Sequence, residues 1–334
     1  MCIRDRLWPV HCGQARSGSH GREATSEQQR PTLGVRAAVK SSLEIRAFQD
    51  TDLNFITQLA RQEDFAPGVG DIAIYANTGN QGVWLAWQND EPVGCIAAVK
   101  YNPDYGFIGL FVVHPDHRGR GVGKRLWEHA LTSLADVTCI GLEAAPAMVE
   151  FYQREGFRRD SITTRRQHLC LEESSTHPSS RLLHRNDITV VPLGNISIDA
   201  VQAYDERHEI SPRPHFLEQW LNHRAGDVFV AMDATQQCHG YVRIRPCLLP
   251  IGQGWRIGPL LAEEPGIASL LLSNAMDRHK GIILIDTPGH NRSARTVAGA
   301  KGFRRMGATH RMYRGSLDNG HDQNIYGLAC LELG

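Results

Sequence analysis

Leu43-Glu44-Ile45-Arg46-Ala47-Phe48 alternates apolar and polar side chains, the period of a half-buried strand. The Asp50-Thr51-Asp52 cluster after it suits the start of a helix on which Leu53, Ile56 and Leu59 share a face. Two apolar runs, Val83 to Trp87 and Val93 to Val99, flank Asn89-Asp90 and predict a hairpin. Phe107 to Val113 is a further apolar strand, and beyond it Leu126, Ala130, Leu131 and Leu134 fall on one helical face. Thr138 to Leu142 reads as a buried strand. Met148 to Arg154 reads as a short helix closed by Gly156, where a left-handed cap is wanted, and Phe157 restarts extended chain toward Leu169.

The same order then recurs. Asp227 to Ala231 and Gly240 to Ile244 repeat the hairpin strands, and Trp255 to Leu260 repeats Phe107 to Leu110. Ile267 to Met276 repeats the long helix, Ile282 to Ile285 the buried strand, and Gly302-Phe303 the pair Gly156-Phe157. So many matches in sequence order imply duplication of one α/β unit. Between the copies, residues 171–186 are dense in Ser, Thr, His and Pro and read as a linker. Residues 1–42 lack apolar periodicity, are rich in Arg, Ser, Gly and Gln, and read as a disordered extension.

The 334 residues suffice for two domains, 43–170 and 187–334, and 41% hydrophobic with 22% charged residues is a globular composition. Lys plus Arg and Asp plus Glu number 36 each, so no global field draws the chain to nucleic acid or anionic lipid. No apolar run is long enough for a membrane span. Eight scattered cysteines, with no Cys-x-x-Cys pair and no histidines at zinc spacing, predict a reduced cytoplasmic protein without metal.

Chemistry concentrates after Val113, where the apolar strand runs through His114-Pro115 into Arg118-Gly119-Arg120-Gly121-Val122-Gly123-Lys124-Arg125 and a helix. A helix N-terminus presents amides without intrahelical partners, and glycines let an anion reach them. The nucleotide-binding loop of kinases and ATPases would need a glycine where Arg118 stands and a Ser or Thr where Arg125 stands. The dinucleotide fingerprint would need a glycine at Lys124. Both are excluded by spacing. Among carboxylates, Glu143 after the buried strand and Asp71 in the Phe65-to-Asp71 loop are placed to bind or deprotonate a substrate.

Arg118, Gly121 and Gly123, following a strand that ends in Val-x-Pro, resemble the acyl-CoA motif of the GNAT superfamily of N-acetyltransferases. Residues 257–260, 286–288, Asn291, 302–303, 311–315 and 326–329 resemble the C-terminal GNAT-like domain of tandem acetyltransferases of the YitH type. The resemblance implies an α/β (α+β) fold of two tandem units, each a mostly antiparallel mixed sheet flanked by helices. It implies acetyl-CoA as co-substrate, its pantetheine on the backbone of Phe111, Val112 and Val113 and its pyrophosphate on Gly119, Arg120, Gly121, Val122, Gly123 and Lys124, with Arg118 also in reach. Tyr152 takes the place of the family's thiolate-protonating tyrosine, and a small-molecule or peptide amine is the implied acceptor. A non-catalytic acyl-CoA sensor is the alternative. In the second half Glu263-Glu264 stand at the position of the glycine loop and Ala298 at that of Tyr152, so a degenerate second unit is expected.

Overall fold

The structure is a computed structural model and describes residues 42–78, 82–170, 184–185, 188–316 and 322–334. The expected N-terminal extension lies outside these residues but for its last, and so does most of the expected linker. The first half runs β1 (Leu43–Ala47), α1 (Leu53–Gln62), α2 (Asp71–Asn77), β2 (Val83–Gln88), β3 (Glu91–Lys100), β4 (Tyr105–Val113), α3 (Val122–Ser133), β5 (Cys139–Ala144), α4 (Val149–Arg154) and β6 (Arg158–Cys170). After a two-residue strand β7 (His184–Arg185), the second half repeats that order. It runs β8 (Ile188–Pro192), α5 (Ile198–His208), α6 (Pro214–Asn222), β9 (Asp227–Met232), β10 (Cys238–Leu248), β11 (Gln253–Ala262), α7 (Pro265–Asp277), β12 (Gly281–Thr287), α8 (Arg292–Ala300) and β13 (Arg304–Arg314), then adds β14 (Ile325–Gly327). The hairpin between β2 and β3 turns at Asn89 and Asp90, both at positive φ, the two-residue turn that matches strand twist.

One sheet of fourteen strands runs through both halves, in the order β1-β2-β3-β4-β5-β13-β6-β12-β11-β10-β9-β8-β7, with β14 beside β11. The last strand of each half has changed places. β13 lies against β5 of the first half, β6 lies against β12 of the second, and the two exchanged strands pair with each other. The offset that carries Phe157 onto Phe303 also carries Thr163 onto Thr309 and Arg165 onto Arg311. Thr163 stands opposite Thr309 in the ladder, so a local twofold passes between them. All pairs are antiparallel except β4 with β5 and β11 with β12.

On one face of the first unit, α3 and α4 bury Leu126, Trp127 and Tyr152 against Ile108, Leu142 and the exchanged Met312. On the other, α1 and α2 bury Leu59 and Tyr75 against Leu110 and Val112, joined by Phe216, Trp220, Cys330 and Leu333 of the second unit. The cores are therefore continuous across the two halves. No described helix is long and apolar enough to cross a membrane.

Candidate active site

The parallel pairing of β4 with β5 stops at Ile108 opposite Leu142, although both strands continue. The register against β3 jumps from Gly109 opposite Ala97 to Val112 opposite Cys95, so Leu110 and Phe111 together face Ile96, and Leu110 adopts φ +47°. A bulge bends its strand out of the ladder, and here it swings β4 away from β5. Gly109, Phe111 and Glu143 are partly exposed in mid-sheet, while Ile108, Leu110, Leu142 and Ala144 around them are buried. Backbone groups on the two lips lack a strand partner across the gap, which an inserted amide-bearing chain could supply.

The β4 lip of the gap runs on into the glycine loop. Gly119 (φ +74°) and Gly121 (φ +84°) both hold the left-handed conformation that favours glycine, and a Cβ on either would meet nothing within 4 Å. Gly121 caps α3 without a side-chain hydrogen bond, and the ladder begins with Arg125 N–H donating to Gly121 C=O at 3.2 Å. The amides of Val122, Gly123 and Lys124 thus precede the first intrahelical bond at the positive end of the helix. Arg118 braces the loop: its Nε donates to Val113 C=O at 2.9 Å and its guanidinium pairs with Glu63, the residue that caps α1, at 2.7 Å. Arg120 is exposed, and so is Lys124, which lies 3.7 Å from Glu128.

Tyr152 sits on α4, in the core cluster that also holds Ile108 of β4 and Leu142 and Ala144 of β5. Its ring lies 5.3 Å from that of Trp127, 5.2 Å from Phe151 and 6.1 Å from Phe157, an aromatic setting that fixes the side chain. The two carboxylates are placed otherwise than their loop positions suggest. Glu143 is within β5 and accepts from Thr163 Oγ1 (2.7 Å), Thr309 Oγ1 (2.5 Å) and Arg311 Nε (2.7 Å), so donors from both exchanged strands occupy it. Asp71 opens α2, is wholly buried, and takes Arg245 Nε at 2.8 Å and Nη2 at 2.7 Å. Burial pushes its carboxyl up, but the charge and hydrogen bonds of Arg245 outweigh burial and hold it below the usual range. It binds the two units together and is not open to a substrate.

The second unit contains the same splay with a different occupant. β11 pairs with β12 over Trp255 to Ile257 and bulges against β10 between Val242 and Ile244. Into the gap comes β14, with Gly327 opposite Leu260 and Ile325 opposite Leu261, and Leu328 N–H donates to Asp286 C=O at 2.9 Å. Gly258 to Leu261 and Asp286, the counterparts of the open lips, are all buried. Position 258 must be glycine, because a Cβ there would lie 2.1 Å from Leu328 O.

From β14 the chain crosses to the first unit. Arg245 Nη2 donates to Ala329 C=O (3.1 Å), Arg256 pairs with Glu332 (3.3 Å), and Tyr101 OH donates to Leu333 C=O (3.0 Å). A Cβ on Gly109 would fall 1.9 Å from Glu332 O, so the segment lies against β4 on the face opposite α3 and α4. Beside the segment, Tyr101, Tyr105, Glu209, Ser211, Arg213 and Arg311 line a cavity of about 10 Å³, room for about one water. Burial pushes the Glu209 carboxyl up to about 7 against the pull of Arg213. Glu332 carries no signal in the sequence, and Arg311 and the β14 region are marked there only by family resemblance, without the roles they have here. The one local signal was glycine inside two apolar strands, Gly109 and Gly258, where a backbone approaches closely.

Residues 49–157 match the acetyltransferase (GNAT) family, and residues 201–327 match a further acetyltransferase (GNAT) domain. The chain belongs to the GNAT superfamily, in tandem form. Holothin acyltransferase of Pseudoalteromonas sp. (strain SANK 73390) is 28% identical over 281 residues, spanning 84% of this chain and 90% of that protein. Peptidyl-lysine N-acetyltransferase YjaB of Salmonella typhimurium is 39% identical over 77 residues, 23% of this chain and 50% of that one. A putative acetyltransferase of Pyrococcus horikoshii has the same fold, with a TM-score of 0.70 at 20% identity, covering 91% of this chain and 99% of its own. The expected family and fold class both hold, and GNAT acyltransferase activity follows from the family.

Proposed function

We propose that the first unit transfers an acetyl group from acetyl-CoA to the amine of a small molecule. The observation that carries this reading is the end of pairing between β4 and β5 at Ile108, with β4 running on into a loop that holds two left-handed glycines before α3. When bound, acetyl-CoA supplies an activated thioester. Phe111, Val112 and Val113 offer backbone groups to its pantetheine arm, and the amides of Gly119 to Lys124 receive its pyrophosphate. Arg118 positions the loop from behind. A backbone N–H near Val113 donates to the acetyl oxygen as charge develops on it. Tyr152 gives its proton to the departing thiolate. Glu143, held by Arg311 and two threonines, fixes the β5 lip.

Two features favour a small acceptor. The relative matched through both units is named for holothin, whereas the peptidyl-lysine relative matches 77 residues. In addition, the segment from Ala329 to Gly334 covers the face of β4 along which a polypeptide would have to lie. An acetyl-CoA consumption screen over small amines, amino acids, polyamines and lysine peptides tests the reading, with turnover expected on a small amine. Intact acetyl-CoA binding with no turnover on any acceptor would point to a sensor instead.

Tyr152→Phe keeps the ring and its packing and removes the acid. The expected result is unchanged acetyl-CoA affinity with kcat lowered by about ten- to a hundredfold; full activity would remove Tyr152 from the reaction. With β14 in the second gap and Glu263-Glu264 beside α7, the expected calorimetric stoichiometry is one acetyl-CoA per chain. Two equivalent sites would show that β14 leaves its place.

A further inference from the structure

Arg166 of β6 and Arg305 of β13 stand directly opposite one another in the ladder. Like charges at paired positions of antiparallel strands are destabilising. Arg295, on the first turns of α8, adds to the repulsion: partial burial, then the charges of Arg295 and Arg305, hold the Arg166 guanidinium below its usual range. Arg295 is itself poorly placed, since the start of a helix favours acids, and α8 has none in its first turn and Arg292 at its first position. Among the described residues no carboxylate pairs with Arg166, Arg295 or Arg305. Arg166 Nε donates to Thr287 Oγ1 at 3.0 Å, which leaves its terminal amino groups to solvent or a ligand.

Internal symmetry says what kind of place this is. The offset relating the halves carries Met312 back onto Arg166, Val149 onto Arg295 and Tyr152 onto Ala298, while Ala144 at the end of β5 corresponds to Thr287 at the end of β12. In the first unit Met312, Val149, Ala144 and Tyr152 form one apolar cluster beside the open gap. In the second unit the gap is filled by β14, and the equivalent positions carry the methyl group of Ala298, the hydroxyl of Thr287 and the guanidinium groups of Arg166 and Arg295, with Arg305 adding a third guanidinium. Two unfavourable placements of charge, one across strands and one at a helix start, thus meet at one place on the surface, where Arg166 is half-buried and Arg295 and Arg305 are exposed. A fold that tolerates both without an internal counterion is suited to an external one.

We propose that Arg166, Arg295 and Arg305 form an oxyanion site on the second unit, for the phosphate or pyrophosphate group of a small ligand. A single carboxylate would leave most of the positive charge unmatched, whereas a multiply charged oxyanion offers several acceptors to planar guanidinium forks. The site is independent of acetyl transfer in the first unit.

Calorimetry with inorganic pyrophosphate at constant ionic strength tests it, on the full chain and on the chain carrying Gly121→Asp, which disables the glycine loop as a competing site. The expected result is one site that persists in the Gly121→Asp protein and weakens at least tenfold with Arg166→Gln plus Arg305→Gln, or with Arg295→Gln alone. The Arg166→Gln, Arg305→Gln protein should also melt higher than wild type without ligand, because the repulsion is gone. Pyrophosphate heats no larger than those of chloride, or an affinity indifferent to the arginine substitutions, would overturn the site. A lower Tm in the ligand-free double variant would show the arginines to be structural and overturn it as well.

Discussion

Gly121→Asp is expected to abolish measurable acetyl-CoA binding, with affinity falling at least about a hundredfold in calorimetric titration and the fold intact. Position 121 has φ +84°, where an L-residue costs about 1–2 kcal/mol and Asp is among the better tolerated. A Cβ there meets no atom within 4 Å, so the protein itself has no clash to relieve. The loss comes from the ligand side. A carboxylate at the mouth of α3 cancels the positive end of the helix and faces a pyrophosphate, and two unit charges about 4 Å apart interact by about 4 kcal/mol at a near-surface dielectric. Gly121→Ala separates the contributions, since it keeps the backbone strain and adds no charge. A smaller loss is expected for Ala than for Asp. Unchanged affinity in the Asp variant would sink the assignment of the loop to the donor.

The glycine loop was legible in the sequence because its information is local: left-handed glycines, a strand before and a helix after are all within twenty residues. The duplication was legible for the same reason, element by element. The exchange of β6 and β13 was not. The sequence predicts extended chain from Phe157 toward Leu169 but says nothing of its neighbours, and a strand that leaves its own unit for a homologous one finds nearly the same surroundings there. Thr163 opposite Thr309 is the point where the two choices become equivalent. Polar residues on the exchanged strands were illegible in the same way. Arg311 and Arg165 look like the solvent side of an alternating strand until their partners, Glu143 at 2.7 Å and Asp286 at 2.9 Å, arrive from the other half.

Asp71 shows the limit of composition-based reasoning at single residues. An acidic residue after a Gly-rich loop is usually solvated, and the loop from Phe65 to Gly70 gave no hint that Arg245 lay 174 positions away in sequence. Closure of the second unit follows from the same network. Arg245 also donates to Gly258 C=O and Ala329 C=O, and Arg256 joins Asp286 to Glu332, so the arginines that hold the units together also hold the chain that fills the second gap.

Asp71→Asn should therefore be the most destabilising polar substitution in the protein, at about 3–5 kcal/mol, because it leaves Arg245 charged and buried without its counterion. Melting curves should show a fall in Tm of roughly 10 °C. A double variant, Asp71→Leu with Arg245→Met, should recover most of the loss, since the buried charge goes with its partner. A single variant within about 1 kcal/mol of wild type would show that the pair contributes little. The pH dependence has a definite sign. The folded-state pKa of Asp71 is depressed, so its stabilisation is complete above the unfolded value near about 4 and is lost as pH falls through the folded value. Wild type should lose stability on acidification below that point more steeply than Asp71→Asn, which has no such proton to take up. Because Asp71 belongs to α2 and Arg245 to β10, and β6 and β13 are exchanged, both halves should melt in one transition in either protein. Two separated transitions in Asp71→Asn would mean that this ion pair, and not the strand exchange, couples the halves.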